Sequence, residues 1–255
     1  MKINKDKLPI KYILGIEKDL PDYPTALDVL QAEVKLSNRN PDRYKGSFTF
    51  HALKTYRFPE ADHDKILDEL DNPFLFGFSV YIWNENYTNI LAQKIKERWP
   101  ECMIIYGGPQ VPQDSKHEWW DGHKYVDVVV SQEGEEIFKN ILLNPSKEYI
   151  DTQPNTAVNF GTHWKNNVAG NKRKTRQRDL SKLPSPYLSG NMPNIKSHHA
   201  MLFETNRGCP YACSFCDWGG LTYSKLVNHD INRLEAEIEY AGKNKIGFLY
   251  SVDAN

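Results

Sequence analysis

Three cysteines within eight residues are the part of the chain best suited to chemistry. Cys209, Cys213 and Cys216 follow C-x3-C-x2-C spacing, directly after a predicted strand. Cysteine thiolates are the usual ligands of iron–sulfur clusters. Four thiolates close a cubane, whereas three leave one iron without a protein ligand, and an open metal position can take a substrate-like ligand. The spacing therefore indicates an iron–sulfur site that binds a further molecule.

Two other interpretations of these cysteines are weaker. A zinc site would combine them with His198, His199 or Asp217, but structural zinc sites favour two separated C-x2-C pairs and the chain has no second pair. Inert, buried cysteines do not suit Gly208 and Pro210, which are typical of a loop that wraps tightly around a group.

The segment at residues 206–216 resembles the radical SAM superfamily, whose motif is C-x3-C-x-aromatic-C, with Phe215 at the aromatic position. The resemblance implies a [4Fe–4S] cluster on Cys209, Cys213 and Cys216. The amino and carboxylate groups of S-adenosylmethionine (SAM) would bind the fourth iron, and Phe215 would lie beside the adenine. One electron would then cleave SAM to a 5′-deoxyadenosyl radical, so an electron donor such as flavodoxin or ferredoxin is implied too.

The chain departs from the superfamily pattern at a second position. Radical SAM domains usually carry Gly-Gly-Glu near the end of their second strand to hold the SAM amine, whereas this chain has Ser251-Val252-Asp253. An acidic residue at that place is familiar in the cobalamin-binding branch, which implies a SAM contact by Asp253. A strand-end cap is the alternative, and the sequence does not choose between the two.

The residues ahead of the cysteine loop predict an open, doubly wound α/β domain with a parallel sheet over residues 1–144. Apolar strand-like runs alternate with amphipathic helix-like runs five times. The predicted strands lie at residues 11–15, 46–53, 74–82, 102–106 and 126–130. The predicted helices lie at residues 25–36, 62–70, 85–98, 116–120 and 135–143. The later strands are apolar almost throughout, as in parallel sheets that are buried on both faces.

Ligands of open α/β sheets bind beyond the carboxyl ends of the strands. A dinucleotide would need G-x-G-x-x-G after the first strand, and the chain has only Gly15 there, which argues against NAD and FAD. Paired glycines such as Gly107-Gly108 let a backbone approach a flat or bulky ligand closely.

The glycine–proline and acidic turns of this domain, with residues 183–187, resemble the cobalamin-binding radical SAM proteins from about residue 12 to the end. The resemblance implies cobalamin as a further cofactor, with its nucleotide tail against the sheet and no histidine on cobalt. Tight turns alone are the alternative explanation of the glycines. The implied site comprises Ser79, Gly107, Gly108 and Pro109 beside the tail, and Glu133, Gly134 and Glu135 at the border of the corrin.

The remaining sequence predicts a linker at residues 145–194, which can hold a short hairpin, and the first part of a radical SAM (β/α) barrel at residues 195–255. The chain stops just after an apolar strand, so we expect it to be truncated within the barrel. The basic run at residues 172–178 has no aromatic platform beside it, and nucleic acid is therefore not an expected partner.

Composition favours a cytoplasmic protein. The net charge of −1 over 255 residues gives no global field that attracts nucleic acid or an anionic membrane. No segment approaches the roughly 20 apolar residues of a membrane helix, and the charged N-terminus lacks the apolar core of a secretory signal. In a reducing compartment the four cysteines are better metal ligands than disulfide partners.

Together these features predict a cobalamin-dependent radical SAM enzyme. In such enzymes the commonest reaction is methyl transfer to an unactivated carbon, in which the radical abstracts hydrogen and methylcobalamin delivers the methyl group. Cobalamin-assisted rearrangement and a non-catalytic metal- or corrinoid-binding module stay open as alternatives. The expected substrate is a small molecule or a peptide.

Overall fold

A computed structural model describes residues 10–17, 48–55, 63–68, 70, 73–112, 118–167, 179–189, 200–211, 213–215 and 226–253. They form two compact units, the first from the described residues 10–17 and 48–167 and the second from those of 179–253. The helix predicted at residues 25–36 lies outside the described residues. Within the described ranges, no helix has the length and apolar character needed to cross a membrane.

Between residues 48 and 143 the first unit alternates strands and helices in the predicted order. Its strands are β1 (Ile10–Glu17), β2 (Phe48–Thr55), β3 (Leu75–Ser79), β4 (Met103–Gly107), β5 (Val128–Val130), β6 (Thr156–Asn159) and β7 (Trp164–Asn166). Its helices are α1 (His63–Asp68), α2 (Glu85–Arg98), α3 (Trp119–Gly122), α4 (Glu135–Leu143) and α5 (Lys147–Ile150). Helices α2 and α4 have the predicted bounds.

These strands form one sheet in the order β2-β1-β3-β4-β5-β6-β7. The first five strands are parallel to one another. The order 2-1-3-4-5 is a doubly wound arrangement, in which the ligand crevice lies beyond the carboxyl ends of the strands. The predicted fold class is confirmed.

Part of the segment predicted as a linker belongs to this sheet. Strand β6 runs antiparallel to β5, with Val158 opposite Val128, and β7 runs antiparallel to β6. Ala157 and Val158 are completely buried. The structure thus contains the short hairpin that the sequence allowed, but as the edge of the first unit's sheet.

An apolar core fills the space between this sheet and its helices. Phe76, Ile104 and Val129 on neighbouring strands are fully buried, as are Leu91 and Ile95 on α2. Burying a side chain of this size contributes roughly 1.5–3 kcal/mol. The spacing of the two α2 residues places them on one face of the helix, so burial of this face fixes α2 on the sheet.

Asp127 joins β4, β5 and two lysines at the amino ends of the strands. Its side chain lies 2.6 Å from Lys96 Nζ and 2.8 Å from Lys147 Nζ. The backbone N–H of Ile104 donates to the same carboxylate at 2.9 Å. The charged groups that fix this end of the sheet are therefore separate from its ligand-binding end.

The second unit contains one strand–helix–strand repeat. Strand β8 (Ala200–Phe203) pairs in parallel with β11 (Phe248–Ser251), and α6 (Ile231–Lys243) lies between them in sequence. Two short strands, β9 (Asn206–Arg207) and β10 (Val227–Asn228), pair antiparallel. A parallel βαβ repeat of this kind is the building unit of a (β/α) barrel.

Candidate functional site

The turns that follow β3 and β4 are joined by backbone hydrogen bonds. Ser79 and Gly107 are opposite each other in the ladder. Beyond them, Val80 N donates to Gly107 O at 2.7 Å, and Gln110 N donates to Val80 O at 3.1 Å. We call the strand ends of β3, β4 and β5, with the turns that follow them, the carboxyl edge. All the residues predicted to contact cobalamin lie on it.

Gly108 is the point of closest approach at this edge. Its φ is +97°, and a Cβ there would lie 2.7 Å from Val80 O and 2.8 Å from Val80 N. The close packing of the two turns is thus sufficient to require glycine at Gly108. Gly107 has more space, since a Cβ added there would lie 3.6 Å from its nearest neighbour, Val130 O. Pro109 is exposed and Ser79 is half-buried.

The turn after β5, which we call the acidic turn (residues 131–135), contains the other predicted cobalamin contacts. Glu133, Gly134 and Glu135 are all half-buried. Gly134 O accepts from Phe138 N at 2.8 Å, which begins the hydrogen bonding of α4. The predicted residues after β5 therefore lie where the strand passes into the helix.

An exposed apolar pair extends the carboxyl edge beyond the predicted residues. Ile82 is 76% exposed and Trp83 is 49% exposed, and the Trp83 ring stacks on Tyr81 with 4.5 Å between centroids. Asn84 fixes this turn, because its Nδ2 donates to Ser79 O at 2.9 Å and its Oδ1 accepts from Tyr81 N at 2.8 Å. Exposed apolar groups on a ligand-binding edge fit a bulky organic ligand such as cobalamin.

The cysteine loop begins in the second unit just after β9. Cys209 is half-buried and Cys213 is exposed, and neither forms a disulfide. Phe215 is 91% exposed. Cys216 lies outside the described residues, so the meeting of the three thiols stays a prediction. Within the described residues no three histidine, cysteine or carboxylate side chains are grouped as a metal site.

Asp253 anchors the segment that leads into these cysteines, which we call the lead-in segment (residues 204–208). Its Oδ1 accepts from Thr205 N at 2.7 Å and from Asn206 N at 3.1 Å. Its Oδ2 accepts from the hydroxyls of Thr205 at 2.6 Å and Ser251 at 3.2 Å. These bonds give Asp253 the strand-end role that the sequence left open, while its contact with SAM stays a prediction.

A second set of side-chain contacts in the lead-in segment is made by its first residue, Glu204. Arg207 Nε donates to both Glu204 oxygens at 3.0 Å, and the buried His229 donates through Nε2 to Oε2 at 3.0 Å. Burial opposes ionisation of Glu204, but the His229 hydrogen bond and the Arg207 charge outweigh it and hold the carboxyl pKa below its ordinary value. The sequence analysis missed this cluster, because its partners are distant along the chain.

The thiols fit an iron–sulfur cluster in chemical type and accessibility. Cys209 and Cys213 are free, and thiolates are soft ligands suited to iron–sulfur clusters. The lead-in segment is held by Asp253, which follows β11, and by His229, which follows β10. The two described thiols therefore belong to a loop whose start is already positioned.

Two known proteins of related sequence match more than two thirds of this chain. The chain is 36% identical over 207 residues to the cobalamin-dependent radical SAM methyltransferase TokK of Streptomyces tokunonensis. The aligned region covers 78% of this chain and 30% of TokK. It is also 36% identical to 2-(S-pantetheinyl)-carbapenam-3-carboxylate methyltransferase of Streptantibioticus cattleyicolor, over 73% of this chain and 28% of that protein. The chain thus spans about a third of the length of these relatives.

A solved structure shares the fold. The radical SAM methyltransferase TsrM of Kitasatospora setae, solved with cobalamin and a [4Fe–4S] cluster, matches with a TM-score of 0.63 and 16% identity, over 97% of this chain and 48% of TsrM. No protein-family model matches the chain. The sequence matches and the shared fold agree with the resemblance in the cysteine motif, and we conclude that this chain belongs to the cobalamin-binding radical SAM family.

Proposed function

We propose that the protein carrying this chain is a cobalamin-dependent radical SAM methyltransferase. The observation that carries the proposal is the C-x3-C-x2-C motif, with Phe215 at its aromatic position, in a chain 36% identical to TokK. Both curated relatives described above are methyltransferases. We propose methyl transfer to an unactivated carbon as the reaction.

Cys209, Cys213 and Cys216 would hold the [4Fe–4S] cluster and leave one iron for SAM. When bound, the cluster and SAM supply a radical, and cobalamin supplies the methyl group. The chain's own contribution is to position the ligands. Asp253 and Glu204 restrain the lead-in segment, so less conformational freedom is lost when the thiols bind iron. The exposed Phe215 would be covered by SAM.

Cobalamin would bind at the carboxyl edge of the first unit. Ser79 and Gly107-Gly108 would flank its tail, and the acidic turn would border the corrin. The exposed Trp83 would give the ligand an apolar contact. His123 stacks on Trp119 with 3.7 Å between ring centroids and donates from Nδ1 to Trp119 O, so it takes part in the packing of the first unit.

The test uses the full-length protein, purified without oxygen and reconstituted with iron, sulfide and hydroxocobalamin. With reduced flavodoxin or ferredoxin as the proposed electron donor, we expect SAM to yield 5′-deoxyadenosine. Cys213→Ala should abolish this product, whereas Cys102→Ala, which changes a buried cysteine outside the motif, should retain it. SAM labelled in its methyl group identifies the reaction, because the label should enter the product.

Other outcomes favour the alternatives. Cleavage of SAM with no methyl label in any product would favour a rearrangement. Bound zinc with no SAM cleavage would favour a non-catalytic module. Loss of the corrin spectrum after desalting would remove cobalamin from the proposal and leave the radical SAM chemistry in place.

A further inference from the structure

Two non-glycine residues with left-handed backbone contact each other, one in the acidic turn and one just before β6. Gln132 has a φ of 66° and Asn155, just before β6, has a φ of 54°. Asn155 Nδ2 donates to Gln132 Oε1 at 3.4 Å. Such conformations are unfavourable for residues with side chains, and they persist where the surrounding structure holds them.

Ser131 completes the contact between the two segments. Its side chain is fully buried, and both its N–H and its hydroxyl donate to Asn155 O, at 2.9 and 3.1 Å. Asn155 is itself 2% exposed. Asn155, just before the β6–β7 hairpin, therefore makes three hydrogen bonds to the first two residues of the acidic turn, two through its carbonyl and one through its side chain.

The position of this contact gives it a functional consequence. Thr156 pairs with Val130, so Asn155 lies at the end of β5 where the sheet binds its ligand. Asn155 is too deeply buried to offer a ligand more than slight contact, and it acts through Ser131 and Gln132. We propose that Asn155 is a positioning residue that sets the path of the acidic turn against cobalamin; this proposal rests on the proposed function.

The test compares two buried asparagines at opposite ends of β6. Asn155→Gly keeps a residue that tolerates positive φ but removes the side-chain hydrogen bond and loosens the backbone. The control is Asn159→Ala, because Asn159 is 7% exposed and its Nδ2 donates to Lys124 O and Val126 O, at the amino end of β5. Both variants should lower the melting temperature of the full-length protein.

Binding of hydroxocobalamin, titrated through the corrin absorbance, separates the two variants. Asn155→Gly should raise the dissociation constant about tenfold, which corresponds to the loss of roughly one hydrogen bond. Asn159→Ala should leave it within about twofold of the wild-type value. Unchanged binding by Asn155→Gly, or an equal loss in both variants, would overturn the positioning role. Absence of binding by the wild-type protein would instead refute the cobalamin part of the proposed function, and the positioning role with it.

Discussion

Replacing Gly108 with alanine tests the packing of the carboxyl edge. The new Cβ would lie 2.7 Å from Val80 O, a distance that real Cβ contacts essentially never show. Val80 cannot move away freely, because its N–H and its carbonyl are both hydrogen-bonded to the neighbouring turn. The positive φ costs alanine roughly 1–2 kcal/mol, and overpacking costs about 1–3 kcal/mol more. We therefore expect a loss of about 2–5 kcal/mol in the free energy of unfolding.

Gly161→Ala is the matched control. Gly161 has a φ of +87°, close to that of Gly108, but a Cβ there would meet no atom within 4 Å. Gly161→Ala should therefore lower the free energy of unfolding only by the cost of the positive φ, roughly 1–2 kcal/mol. The difference between the two variants isolates the contact with Val80.

Denaturant unfolding of the full-length protein, followed by tryptophan fluorescence, measures both losses. Five of the six tryptophans of this chain lie in the first unit, so their fluorescence reports mainly on the unfolding of that unit. Gly108→Ala should also weaken hydroxocobalamin binding, since Val80 follows Ser79 directly at the carboxyl edge. Equal stability losses in the two alanine variants would refute the reasoning about close approach.

Three further predictions concern charge and thiol reactivity. Asp127→Ala leaves two lysines without their shared carboxylate and should lower the free energy of unfolding by about 2–4 kcal/mol. The loss is smaller than for a fully buried ion pair, because the lysines are partly exposed. A loss below about 0.5 kcal/mol in denaturant unfolding would contradict this. The pKa of Glu204 is lowered in the folded protein, so ionised Glu204 stabilises the fold at pH values above its ordinary pKa of 4.5. This stabilisation is lost as the pH falls through the lower pKa of the folded state. In Glu204→Gln the free energy of unfolding should therefore decrease less at acidic pH than in the wild-type protein. Burial raises the pKa of the Cys102 thiol to about 12, so Ellman's reagent should label it only after unfolding, whereas Cys213 should react in the folded, cluster-free protein.

The parallel core of the first unit could be predicted because its signal is local. The apolar runs at residues 74–82 and 126–130 contain β3 and β5, and the run at residues 102–106 covers β4 except its last residue; α2, between β3 and β4, shows a buried apolar face. The β6–β7 hairpin lacks such a signal. Its strands have only four and three residues, too few to show a period, and they lie among polar residues and prolines.

In the candidate site, too, some features could be predicted from the sequence and others could not. The cysteine motif and the strand-end glycines are contiguous in sequence and could be recognised there. The contacts of Glu204 with His229 and of Ser131 with Asn155 join residues 25 and 24 positions apart, which only folding brings together. Trp83 could not be recognised as exposed, because an apolar residue after a buried strand ordinarily predicts burial.

The most direct test of the central claim is the spectrum of the iron bound by the full-length protein. We expect Mössbauer and electron paramagnetic resonance spectra of the anaerobically reconstituted protein to show a [4Fe–4S] cluster, and addition of SAM to change the signal of one iron. Changing Cys209, Cys213 or Cys216 to alanine should remove the cluster. A folded protein that binds zinc at these thiols, or whose cluster signal is unaffected by SAM, would contradict the account.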